Sequence, residues 1–228
     1  MKLRLLSVIF ALVVPLVGCN NNNSKTSTDS VQSSTTTSAP SSATQSPTAT
    51  ASPSSATASP TSETSSNSEI SKNWYSYSSS KGNYTAKFPE KPNEQERSNK
   101  SQQGSVSGVE VRYVDNANQR LYLTGHVDLP IAPKTKLNDA NLEKILDGFQ
   151  NAMVKTVGAT GKNPTKITQS GFPAREFLLT LPGGEAAKAR IIINPNNLKA
   201  YQAVVVAKDG KPESPEAQAF LDSLKIAK

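Results

Sequence analysis

The sequence predicts an α+β domain, a mostly antiparallel sheet of about six to eight strands covered by one long and one short helix, preceded by a disordered Ser/Thr-rich stalk. Three observations carry this. Beyond residue 73, several segments alternate apolar and polar residues and are separated by Gly, Pro and Asn turn formers. One stretch, from Asn138 to Val157, instead repeats apolar residues every three or four positions. Ahead of residue 73 lies a long tract with almost no large apolar side chains.

The elements follow in order. Tyr84 to Phe88 alternates Tyr, Ala and Phe with Thr and Lys and stops at Pro89, which reads as a strand. Val109 to Val114 and Arg120 to Val127 both have period two, and the Asp-Asn-Ala-Asn-Gln between them favours a turn, so an antiparallel hairpin is expected. From Asn138 the period changes: Leu142, Ile145, Leu146, Phe149, Met153 and Val157 line one side of a helix of about five turns, with Asn138 or Asp139 as its N-cap. Gly158 and Gly161 close it. Lys166 to Ser170, Ala174 to Leu181, Ala187 to Asn194 and Leu198 to Ala207 then read as four strands joined by tight turns. Ser214 caps and Pro215 opens a last helix whose Ala217, Phe220, Leu221 and Leu224 should lie on the sheet.

The chain divides into residues 1–18, 19–72 and 73–228. Met-Lys-Leu-Arg followed by an apolar run from Leu5 to Val17 reads as a signal peptide. That run is shorter than the roughly 20 apolar residues a spanning helix needs, so it targets the chain without crossing the bilayer. Leu16-Val17-Gly18-Cys19 resembles the lipobox of bacterial lipoproteins, which implies cleavage before Cys19 and acylation of its thiol and new amino terminus with fatty chains such as palmitate. An acyl chain contributes about 0.8 kcal/mol per buried CH2, so two or three together hold firmly. The protein is then expected on the extracytoplasmic face of a bacterial membrane, in the periplasm, thylakoid lumen or cell surface.

Residues 20–72 contain 18 Ser, 11 Thr, 6 Ala and 4 Pro. Such a tract cannot build a core and reads as a tether with an end-to-end distance of roughly 40 Å, either bare or O-glycosylated. The tract also explains why only 35% of the chain is hydrophobic. The remaining 156 residues suffice to bury roughly two-thirds of their unfolded surface.

Trp74 to Pro92, with Lys81-Gly82-Asn83-Tyr84 running into Phe88-Pro89-Glu90-Lys91-Pro92, resembles the opening of PsbP-like domains. The later order is similar to the wider PsbP/Mog1-like group: a long helix, Gly171-Phe172-Pro173-Ala174-Arg175 entering a strand, a hairpin, a strand over Ala200 to Ala207, and a closing Phe220-Leu221-Asp222-Ser223-Leu224 helix. The resemblance covers residues 73–228 in outline. It implies a non-enzymatic accessory or binding module, in some relatives associated with photosystem II, and it transfers no metal ligands onto this chain.

The residues themselves support little catalysis. One cysteine and one histidine exclude an intramolecular disulfide, a Cys-rich zinc site and a multi-His centre, so no metal and no cofactor are expected. Gly161-Lys162-Asn163 fails as a phosphate loop because Thr156 stands at the leading Gly position and Asn163 at the Ser/Thr position. Gly104-Ser105-Val106-Ser107-Gly108 fails as a nucleophile elbow because Val106 occupies the serine position. Leu181-Pro182-Gly183-Gly184 is a hairpin turn.

The hairpin offers one polar face. If Val114 pairs with Arg120, then Arg112 faces Tyr122 and Glu110 faces Thr124, beside His126 and Asp128. Glu110, Arg112, Tyr122, His126 and Asp128 are the candidate partner surface, with an ordinary solvated face as the alternative. His126 near Asp128 is expected to titrate near neutrality. Residues 73–228 carry a charge of about +6, suited to an acidic protein or an anionic membrane, while scattered cations and export disfavour nucleic acid. The leading expectation is a lipid-anchored accessory module for a membrane-associated protein complex. The alternative is a binding protein for a small apolar or lipidic ligand, with Phe149 and Met153 lining the pocket.

Overall fold

The computed structural model describes residues 69–101, 104–132 and 135–227. The expected signal segment, Cys19 and the tract up to residue 68 lie outside the described residues. The elements are β1 Tyr75–Ser79, β2 Tyr84–Phe88, β3 Asn93–Ser101, β4 Gly104–Asp115, β5 Arg120–Asp128, α1 Asp139–Val157, β6 Thr160–Gln169, β7 Phe172–Thr180, β8 Ala186–Asn194, β9 Lys199–Ala207, α2 Pro215–Ser223 and β10 Lys225–Ile226.

The architecture is α+β, but the strands form two sheets. Seven strands pair antiparallel in the order β3-β4-β5-β9-β8-β7-β6, and three more in the order β1-β2-β10. The small sheet stays separate because Tyr77, Tyr84, Ala86 and Phe88 give it an apolar face of its own, which packs on Val111, Tyr201, Ala203 and Val205 of the large sheet and on Phe220 of α2. The opposite face of the large sheet carries α1, whose Leu142, Ile145, Leu146, Phe149 and Met153 pack on Leu123, Phe177, Ile191 and Val204. Fully burying a side chain of this size stabilises by about 1.5–3 kcal/mol. With both faces covered, the central strands lose strict alternation: Ile191, Ile192 and Ile193 are all fully buried.

Local chemistry sets the boundaries. Asn138 caps α1 by accepting from the Asn141 amide at 2.9 Å, and Gly158 closes the helix at φ 64°. Ser214 caps α2 by accepting from the Ala217 amide at 3.1 Å. Ser170 and Gly171, at φ 54° and 84°, make the two-residue turn between β6 and β7, the geometry whose twist matches its strands.

Two buried arginines on neighbouring strands clamp the helices from opposite faces. Arg175 on β7 reaches Glu143 at 2.7 Å and also Asp147, both on α1. Arg190 on β8 bonds Asp222 of α2 at 2.9 Å, Gln169 at 3.0 Å and the cross-strand Glu176. At the rims of the large sheet, β6 is broken by Pro164 and a register shift between Lys162 and Thr165, while β3 bears Glu94, Glu96 and Arg97. Among the described residues no helix is long and apolar enough to cross a membrane.

Candidate functional site

The β4–β5 hairpin forms with a register one residue away from the expected one. Asp115 pairs with Arg120, which puts Tyr113 opposite Tyr122, Val111 opposite Thr124 and Val109 opposite His126. The cause lies in the turn: the Asp115 carboxylate accepts from the Asn118 amide at 3.0 Å and its side-chain amide at 2.8 Å, so the ladder continues to Asp115 before the chain reverses. A slip of one residue exchanges the faces of a strand. Glu110 and Arg112 therefore point to the α1 side, and Tyr122, Thr124, His126 and Asp128 to the small-sheet side. The five candidate residues do not share one exposed face. Tyr122 is a core residue, edge-on to Phe220 at 5.2 Å and to Trp74 at 6.0 Å, and Glu110 is buried against Arg97 at 3.3 Å.

What the fold does assemble is a cleft of about 320 Å³ around His126 and Asp128, completed by Lys81, Glu96, Arg97, Ser107 and Lys199. Its rim is a set of ion pairs. Lys81 from the β1–β2 turn meets Glu96 on β3, and Lys199 on β9 meets Asp128 on β5. Ser107 donates to Asp128 at 3.4 Å. Their mutual hydrogen bond holds Lys81 above and Glu96 below the usual values.

His126 forms the buried wall of this cleft. Its ring meets Tyr84 edge-on at 5.9 Å and Tyr201 at 6.2 Å, and its Nδ1 has no hydrogen-bond partner. The Gly82 backbone presses on it so closely that a Cβ there would stand 2.5 Å from Nδ1. The Tyr201 hydroxyl fixes that approach by donating to the Gly82 carbonyl at 2.9 Å. Burial pushes the imidazole down to about 4, Lys199 and Lys81 push the same way, and Asp128 and Glu94 oppose. This corrects the expectation of titration near neutrality: desolvation outweighs the nearby carboxylate. Burial likewise raises the Tyr84 and Tyr201 hydroxyls, and raises Tyr77 to about 12, where a hydrogen bond donated to Glu94 at 2.6 Å adds to the effect.

Chemically, the cleft presents alternating cations, carboxylates and hydroxyls around a neutral imidazole. Asp128 is engaged by Lys199 and Ser107, so it does not orient His126 as an acid–base pair would require. Among the described residues no three His, Cys, Asp or Glu are grouped as metal ligands. Phe149 and Met153 are core residues, and the space beside Met153 is about 10 Å³, room for no more than a water molecule.

Glu96 and Arg97 were not legible in the sequence because β3 is wholly polar, and Lys81, Ser107 and Lys199 because the elements that carry them meet only in the fold. The available signal was indirect, since Val109 and Val111 alternate as though a further strand flanked them. Compared with known proteins, the chain matches no family model and no curated protein.

Proposed function

We propose that this chain is a lipid-anchored accessory module that works at an extracytoplasmic membrane surface and docks onto a membrane-associated protein complex. The observation that carries the reading is the order of the chain: Leu16-Val17-Gly18-Cys19 after a short apolar run, a tract of 18 Ser and 11 Thr, then the α+β unit. A thiol at that position is what acylation needs, and a tract of that composition suits a tether. The residues around Trp74 to Pro92 and the element order support a PsbP-like domain, which makes a photosystem II assembly the first partner to test. Within the domain, the ion-paired rim around His126 is a surface for polar contact with a protein, since paired charges of both signs specify a partner's register more than they add affinity.

The test begins with acylation. The native chain should take up labelled palmitate and stay in the membrane pellet after a high-salt wash, and Cys19→Ser should do neither. Crosslinking in intact membranes should then recover a constant set of subunits, and Lys199→Glu, which reverses one rim charge, should diminish that set. Retention of Cys19→Ser after the wash, with no label in the native chain, overturns the anchor. Recovery of no constant subunit overturns the docking role.

A further inference from the structure

A second cleft, of about 450 Å³, lies where α2 ends against the small sheet, and its lining differs in kind from the first. Ser76, Ser78, Thr85, Lys87, Ser223 and Lys225 form its polar border, and Tyr77, Ala86 and Ala219 add an apolar part to its lining. The strand register explains the grouping: Ser76 pairs with Lys87, while Ser78 and Lys225 both pair with Thr85, which puts these five side chains on the outer face of the small sheet. Directly paired residues in a sheet stand about 5 Å apart, so two ammonium groups and three hydroxyls are available together. The nearby carboxylate, Asp222, is committed to Arg190 at 2.9 Å and Gln218 at 3.0 Å. Lys87 is steered into place by Ser223, whose hydroxyl accepts from the Lys87 amide at 2.9 Å, and its ammonium also donates to the Ser71 carbonyl at 3.1 Å.

We propose that this lysine and hydroxyl face seats the phosphodiester headgroup of an anionic lipid. The complementarity is specific in kind, because ammonium groups and hydroxyls are the donors a phosphate oxygen accepts from. The place of the face in the chain selects a membrane as the source of the phosphate. Ser71 lines the cleft, and the residues that precede it are the ones running back to Cys19. With the tether joined to the domain beside it, this is the face from which the chain leads to the bilayer. This orientation rests on the anchoring reading, while the binding chemistry stands without it.

The experiment uses the full chain carrying Cys19→Ser, so that no acyl chain contributes. Sedimentation with phosphatidylcholine vesicles is compared with sedimentation on vesicles enriched in phosphatidylglycerol. Partitioning should rise with the anionic fraction and fall with salt. Lys87→Gln and Lys225→Gln should each lower the phosphatidylglycerol-dependent part by roughly fivefold, and the double variant by roughly thirtyfold. Lys155→Gln, on α1 across the large sheet, should leave it unchanged. All variants should keep native Trp74 fluorescence, since both lysines are partly or fully exposed. Equal partitioning on both vesicles, or an equal loss with Lys155→Gln, overturns the site. Glycerol phosphate bound in solution as tightly as the vesicles overturns the membrane as its occupant. Neither result depends on whether Cys19 is acylated.

Discussion

The imidazole at the cleft wall makes the stability of the fold depend on pH in a calculable way. His126 titrates at an ordinary 6.5 in the unfolded chain and at about 4 in the folded one. Between those values the unfolded state binds the proton first, so stability is fully present above pH 6.5 and is lost as pH falls through 4. At about 1.4 kcal/mol per pH unit the gap amounts to about 3 kcal/mol, and water in the cleft screens part of it, leaving about 1–2 kcal/mol. The perturbation is His126→Phe, which keeps a ring among Tyr84 and Tyr201 and removes both the proton site and the unpartnered Nδ1. Urea titrations followed by Trp74, the chain's only tryptophan, should give nearly equal stabilities at about pH 7. Toward about pH 4 the native protein should weaken by that extra 1–2 kcal/mol relative to the variant. Glu94, Glu96, Asp128, Lys81 and Lys199 are present in both proteins, so the difference isolates the imidazole. Parallel stability curves over the whole range would refute the reasoning.

Other expectations follow from the same geometry. Gly82→Ala drives a methyl group to 2.5 Å from Nδ1 of His126 and 2.6 Å from the Tyr84 ring, and should cost about 1–3 kcal/mol in the same urea assay. Arg190→Met should cost about 2–3 kcal/mol because the Gln169 oxygen loses its partner inside the fold and Glu176 is left with Lys188 alone. Arg175→Met should cost only about 1 kcal/mol, since its partners Glu143 and Asp147 keep 37% and 59% of their side-chain surface in water. Equal losses from the two arginines would contradict the ranking. Asn138→Ala removes the α1 cap and should lower thermal stability by about 1 kcal/mol.

Elements whose code is local were legible in the sequence. Tyr84–Phe88 ends where Pro89 stops it, α1 begins at Asn138 and closes at Gly158, and α2 begins behind Ser214. β3 was illegible because its stability comes from pairing with β4, and Asn93 to Ser101 contains no apolar residue. The two-sided covering of the large sheet was written in Ile191-Ile192-Ile193 and Val204-Val205-Val206, where period two fails because neighbouring residues face two different apolar layers. The candidate site was half legible. His126 and Asp128 do reach one cleft, but Glu110 and Arg112 were assigned to the wrong face, because the register hung on whether Asp115 belongs to the turn or to the ladder. Only its side-chain hydrogen bonds to Asn118 decide that.

The guarded rims of the seven-stranded sheet carry a consequence for crowding. A chain that meets its copies at high density is exposed to templated stacking, in which one molecule's outermost strand recruits the next. Pro164 and the neighbouring bulge deny such a recruit a continuous run of amides on one side, and on the other an approaching copy would have to desolvate the charged side chains of Glu94, Glu96 and Arg97. Contacts with other molecules are thereby steered away from backbone zippering and toward side-chain surfaces, where selectivity resides.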